Sequence, residues 1–191
     1  MKPLIFLFVP LALTSIAFSG TSPQQQTSSP EWRQTQRTDA VRGTYTRFTL
    51  VGKFLKSPQG DGDTANRPAM VVDCSPYNRS HRSKFWRGNL MVGDPLKIDW
   101  VEPEEIHGIS YFPKVAVEYR LNDGKQEKEN WTPGTDQTSA SFSKGSFEKM
   151  LRAQTVQLTA EDNHRLHVVM QFDMPDPTPV EQACDVDVHE K

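Results

Sequence analysis

Beyond its first 19 residues the chain has no long apolar run, it holds only two cysteines, and its charges nearly cancel, with 22 Lys and Arg against 24 Asp and Glu. Each scarcity excludes something. Without another stretch of ~20 apolar residues, no second helical membrane span is expected. A formal charge of −2, one unit more negative without Lys2, excludes a strongly basic nucleic-acid binder. Hydrophobic residues make up 36% of the chain, and Met1–Ser19 alone holds 13 of them, so the remainder is lean for a globular domain.

Enzyme signatures are also missing. There is no G-x-S-x-G elbow, no H-E-x-x-H, no Walker loop, and no G-x-G-x-x-G after a strand. His164-x-x-His167 is the nearest approach to a metal pair, but on a strand that spacing sends the two side chains to opposite faces. His107, with Glu102, Glu104 and Glu105, sits in a proline-broken acidic loop and reads as solvated. Asp123, Asp136, Asp173 and Asp176 stand beside Gly or Pro or in turns, where Asp serves turn formation or capping. The expectation is no catalytic residue, no metal site and no cofactor.

What the chain does have begins with its leading segment. Lys2, the apolar stretch Leu4–Phe18 broken by Pro10, and Ala17-Phe18-Ser19 ahead of Gly20 form the pattern of a cleaved secretory signal peptide, 1–19. Export to the periplasm or the exterior gives Cys74 and Cys184 a meaning: two cysteines in an oxidising compartment are expected to pair. A redox pair or metal thiolates are the alternatives, though neither cysteine has a partner at CxxC spacing. Closing a loop of about 110 residues is worth ~4–5 kcal/mol in the chain-entropy model.

Residues 20–43, rich in Gln, Ser, Thr and Arg, offer little apolar periodicity and read as a flexible tether with Trp32 exposed or loosely docked. From 44 to 191 the texture is that of a single domain. Phe48, Leu50 and Phe54 alternate on one strand face, with Gly52 as a bulge or a point of close approach. Pro68–Cys74 and Phe85–Gly93 read as strands, Pro95–Val101 alternates Leu96, Ile98 and Trp100, and Glu102–Pro113 reads as a loop. The clearest signal is a hairpin: Val115, Val117, Tyr119 and Leu121 at period two, the turn Asn122-Asp123-Gly124-Lys125 with positive φ supplied by Asp-Gly, and a polar return strand to Trp131. A turn at Pro133-Gly134, a short helix over Ser146–Ala153, a strand pair around Asp162-Asn163, and a helix Pro179–Cys184 capped by Thr178 complete the pass.

The fold class expected is mainly β, an antiparallel β-sandwich or barrel-like domain with one or two short helices. Tyr77, Arg79, Arg82, Lys84, Trp86 and Arg87 interleave basic and aromatic residues and mark a candidate binding surface for an anionic polymer or an envelope protein, not for nucleic acid. Asn78-Arg79-Ser80 and Asn130-Trp131-Thr132 match the glycosylation sequon, of use only in a glycosylating pathway.

The order VAVEYRLNDGKQEKENW, TDQTSASF, SFEKMLRAQTVQLTA and VVMQFDMPDPTPVEQAC resembles small exported bacterial proteins related to the VasI/TagO-like type VI secretion accessory proteins, over roughly Pro68–Cys184. The resemblance implies a compact periplasmic β-sandwich with a Cys74–Cys184 bridge and no catalytic residues to carry over. The FDMPDPTPVEQAC ending and the strand from Thr44 depart from that pattern, which points to an envelope protein that shares the domain rather than to a true type VI component. A small envelope-polymer hydrolase and a secretion-machine subunit are the alternative readings.

Overall fold

The computed structural model describes residues 29–40, 43–57, 67–78, 83–101, 112–184 and 186. The fold is mainly β, as expected, and the described residues form eleven strands in one antiparallel sheet and two short helices. The strands are β1 (Arg33–Asp39), β2 (Gly43–Val51), β3 (Lys53–Lys56), β4 (Ala69–Asn78), β5 (Ser83–Met91), β6 (Asp99–Val101), β7 (Phe112–Leu121), β8 (Gln126–Pro133), β9 (Ser139–Phe142), β10 (Thr155–Glu161) and β11 (His167–Asp173). Helix α1 (Lys144–Leu151) joins β9 to β10, and α2 (Thr178–Cys184) follows β11.

The pairing order is β1-β2-β4-β5-β9-β8-β7-β10-β11-β3, with β6 added to β7. Only Gly52 separates β2 from β3, so one bent stretch of chain pairs with β4 by its first half and with β11 by its second. The path thus comes back onto the segment where it started, which gives the sheet its barrel-like curl. Gly52 makes the corner possible. A Cβ there would sit 2.7 Å from both the Gln171 carbonyl oxygen and the Phe172 ring, while the Gly52 N–H donates to the Pro68 carbonyl at 2.8 Å. Close approach, not a bulge, is its role.

Strand alternation fills the interior. Phe48 and Leu50, Met70 and Val72, Val115 and Val117, and Val168, Met170 and Phe172 are all buried at period two. Fully burying each such side chain contributes ~1.5–3 kcal/mol. An aromatic group closes one side of this core: Phe142 stacks on Phe147 of α1 at 5.6 Å between centroids, and Trp131 and Trp86 lie 5.3 and 6.1 Å from Phe142. Gly88 leaves the space for these rings, since a Cβ there would overlap Phe142 and Trp86.

Several expectations need correction. The supposed tether is a strand in its second half: β1 pairs with β2 in unbroken register from Arg33↔Thr49 to Asp39↔Gly43. Trp32, just ahead of it, is only 6% exposed and packs edge-on against Phe147 at 6.1 Å. The strand is held by backbone hydrogen bonds and one anchor, not by an apolar face. In the hairpin turn the positive φ falls on Asn122 (52°), because Gly124 N–H donates to the Leu121 carbonyl and the turn starts one residue earlier. The first helix is set back to Lys144–Leu151 because the Ser143 hydroxyl accepts the Ser146 N–H, which fixes its start. At α2 the cap is Asp176, whose carboxylate accepts both the N–H and the hydroxyl of Thr178. Of Pro95–Val101 only Asp99–Val101 is strand, with Leu96 bridging alone to Asp162. Within the expected loop Glu102–Pro113, Phe112 and Pro113 already belong to β7.

Cys74 on β4 and Cys184 at the end of α2 form a disulfide, with 5.1 Å between their Cα atoms. The expected pairing is present, and it ties α2 to β4.

Candidate functional site

Three places collect polar chemistry. The densest is on the inner face of β8, where register sets Glu127 opposite Tyr119, Glu129 opposite Val117 and Trp131 opposite Val115. Both glutamates therefore share the strand face of the buried Trp131, Glu129 partly buried and Glu127 exposed at its rim, with Ser146 and Lys149 of α1 beside them. The Tyr119 hydroxyl sits 2.6 Å from Glu127 Oε2 and 2.9 Å from Glu129 Oε1. Trp131 Nε1 donates to Glu129 Oε2 at 3.0 Å, and the buried Ser146 hydroxyl of α1 donates to the same oxygen. Lys149 of α1 reaches Glu127 at 3.1 Å.

The electrostatics follow from these contacts. Burial, then the two carboxylates, raises the Tyr119 hydroxyl far above its ordinary value, so it stays a donor. For Glu129, burial works against ionisation, but the donors Ser146, Trp131 and Tyr119 outweigh it and hold the carboxyl below the usual range. Glu127 is held low by Tyr119 and Lys149. Every member of the network is engaged with another, and the arrangement fastens α1 to β8. Sequence reasoning missed these glutamates because β8 reads as a polar return strand; the signal lay in their shared parity with Trp131.

The second place is a cleft on the outer face of β7 and β10, where Lys97 pairs with Glu161 at 2.9 Å and Asp99 at 3.6 Å, and Lys128 pairs with Glu118 at 3.5 Å. Its charges satisfy one another.

The third runs along β1. Ser29, Pro30, Glu31 and Arg33 form one wall of a cleft of about 330 Å³ whose other sides are Val51, Gly52 and Lys53 at the β2–β3 corner, Arg67, and Gln171 and Asp173 at the end of β11. From there a shallow groove continues between Trp32 and Gln34 on one side and Pro175, Asp176, Pro179, Gln182 and Ala183 on the other. Asp173 is occupied by Gln171 Nε2 at 2.8 Å and faces Lys53 at 3.8 Å. The guanidinium groups of Arg33 and Arg67 make no hydrogen bond or ion pair among the described residues. The outer edge of β1 pairs with no strand among the described residues, and Arg33–Thr38 are exposed.

The sequence-derived surface is divided by the structure. Trp86 and Arg87 are adjacent on β5 and so point to opposite faces: Trp86, opposite Cys74, turns inward against Phe142 and Phe147, while Arg87, opposite Asp73, is exposed. Trp86 is thus part of the core and not of an exposed aromatic surface. Arg79 and Arg82, and the side chains of Tyr77 and Lys84, lie outside the described residues, as do Glu102, Glu104, Glu105 and His107. The four aspartates sit apart. Asp136 accepts from Ser139 and Thr138 in the β8–β9 turn, Asp176 caps α2, Asp123 is in the hairpin turn, and Asp173 ends β11. His164 lies in the β10–β11 turn and His167 starts β11, both exposed. No group of three or more His, Cys, Asp or Glu suited to a metal occurs among the described residues.

No family model, no curated protein and no solved structure matches this chain. Any functional reading rests on its own geometry.

Proposed function

We propose that this protein is an exported, non-enzymatic binding module of the bacterial cell envelope, periplasmic or secreted, that captures an extended segment of a protein partner along β1. The observation that carries the reading is the free edge of β1. Natural sheets blunt their edges with proline, bulges, lysines or very short strands. This strand has seven residues, none of them Pro or Lys, and pairs with β2 without a register break. Its outward N–H and C=O groups form a template on which another strand can add. No helix of the described residues is long and apolar enough to cross a membrane, and the disulfide is compatible with an oxidising compartment. The likeness in motif order to VasI/TagO-like accessory proteins belongs to this proposal as a relation to be tested by gene neighbourhood.

The hydrolase alternative needs two carboxylates free to act on a substrate. Among the described residues, the carboxylate pair that shares a partner, Glu127 and Glu129, is engaged by Tyr119, Ser146, Trp131 and Lys149.

The test is retention of envelope proteins from an extract by the immobilised chain from residue 20 onward, against a heat-denatured control. Specific retention that is lost when Gln36 is replaced by proline is the expected result. Equal retention by native and denatured protein overturns the reading.

A further inference from the structure

We infer that the groove beside β1 receives the C-terminal tail of its partner, with the terminal carboxylate seated in the corner cleft by Arg33, Arg67 and Lys53; this rests on the strand-addition reading above. The argument is one of direction. Every ladder in the sheet is antiparallel, and an added strand that continues the pattern runs opposite to β1. Its last residues then lie beside the first residues of β1, where Arg33 opens the strand.

At that end the groove widens into the cleft at the β2–β3 corner, and the chemistry changes. Along the groove the charged wall residue beyond the cleft is Asp176, a carboxylate that accepts from Thr178, whereas the cleft brings in three cations, Arg33, Lys53 and Arg67. Lys53 has Asp173 as a loose partner, while Arg33 and Arg67 have none among the described residues. An unpaired guanidinium presents a planar fork of donors that matches a carboxylate. Glu31 also lines the cleft and opposes an anion, which leaves the two arginines, unpaired among the described residues, in excess over it. The volume of about 330 Å³ suits a carboxylate with one or two terminal residues, not a length of polymer.

The corner is fixed by the fold. Gly52 cannot accept a side chain, its N–H is committed to Pro68, and β3 is paired with β11. Arg33 and Lys53 are therefore carried at the starts of paired strands, and Arg67 stands next to Pro68, whose carbonyl holds the corner.

The experiment uses a randomised pool of seven-residue peptides with free carboxyl termini and the same pool amidated, each passed over the immobilised chain and read by mass spectrometry. Enrichment of the free-acid pool at least tenfold over the amidated pool is expected, with peptide-induced shifts in the amide resonances of Arg33–Thr38. The double variant R33A/R67A, whose side chains are exposed and whose folding is checked by thermal melting, is expected to lose the difference between pools. Equal enrichment of both pools with shifts in β1 overturns the carboxylate assignment and leaves strand addition standing. No shift in β1 with either pool overturns both. A concentration-dependent dimer that loses its β1 protection on dilution assigns the edge to a second copy of this chain and overturns the inference.

Discussion

Replacing Tyr119 by phenylalanine keeps the ring in the core and deletes the donor shared by Glu127 and Glu129. Glu129 is the partly buried acceptor of the two, and leaving it short of a partner costs ~1–3 kcal/mol, a loss expected in urea unfolding at pH 7. The pH dependence has a definite sign. Both glutamates ionise more readily in the folded protein than in the unfolded chain. The stability they supply is complete above the ordinary carboxylate value of ~4.3 and is lost as pH falls through the lower folded values. The gap between wild type and Tyr119→Phe should therefore narrow between pH 5 and pH 3, and a constant gap would show that the carboxylates are not its source. Gly52→Ala probes the corner: its Cβ would meet a backbone oxygen that cannot turn away. A loss of ~1–3 kcal/mol is expected in the same assay. Of these residues, Tyr119 was legible from its place in the alternating hairpin strand, and Gly52 because a glycine inside a strand pattern signals a bulge or close approach. The glutamates were hidden, since an isolated polar strand does not reveal which of its faces a helix will cover. Asn122 was hidden too, because the start of a turn is set by the last hydrogen bond of the ladder.

At the scale of the element, β1 and the helices differ in what holds them. Among β1 and the residues just before it, Trp32 is the only buried large side chain. Trp32→Ala should free the strand while the rest of the sheet persists. Hydrogen exchange at Arg33–Thr38 is expected to accelerate well before exchange in β7 or β10, whereas uniform acceleration would mean that the strand unfolds only with the whole. The hairpin β7–β8 and the pair β10–β11 were legible because their apolar residues alternate next to strong turn residues. Helix α1 was legible from Phe147, Met150 and Leu151, though its start depended on a serine cap three residues before Ser146. β1 could not be found by periodicity. Its partners are backbone groups of β2, and RQTQRTD carries no pattern that distinguishes a polar edge strand from a tether.

For the whole molecule, the lean apolar inventory makes the bridge between Cys74 and Cys184 weigh heavily. Replacing both cysteines by serine is expected to lower stability by ~2–5 kcal/mol, read as a lower melting temperature and urea midpoint. An unchanged melting temperature would mean that α2 is held by its packing alone. The bridge was legible at this scale, from compartment and cysteine count, before any strand could be placed.

The bent stretch through Gly52 also bears on how fast the protein reaches this fold. Pairing β3 with β11 brings Phe54 against Met170, residues far apart along the chain, and β2 finds β4 from the same stretch. Such non-local closure is slow, because loop entropy is lost before the contacts form. An intact Cys74–Cys184 bond short-circuits the detour, since Cys74 lies near Phe54 and Cys184 near Met170 in sequence. Refolding from urea should accordingly be faster for the oxidised than for the reduced chain in stopped-flow fluorescence, so the bond would speed the search as well as hold its result.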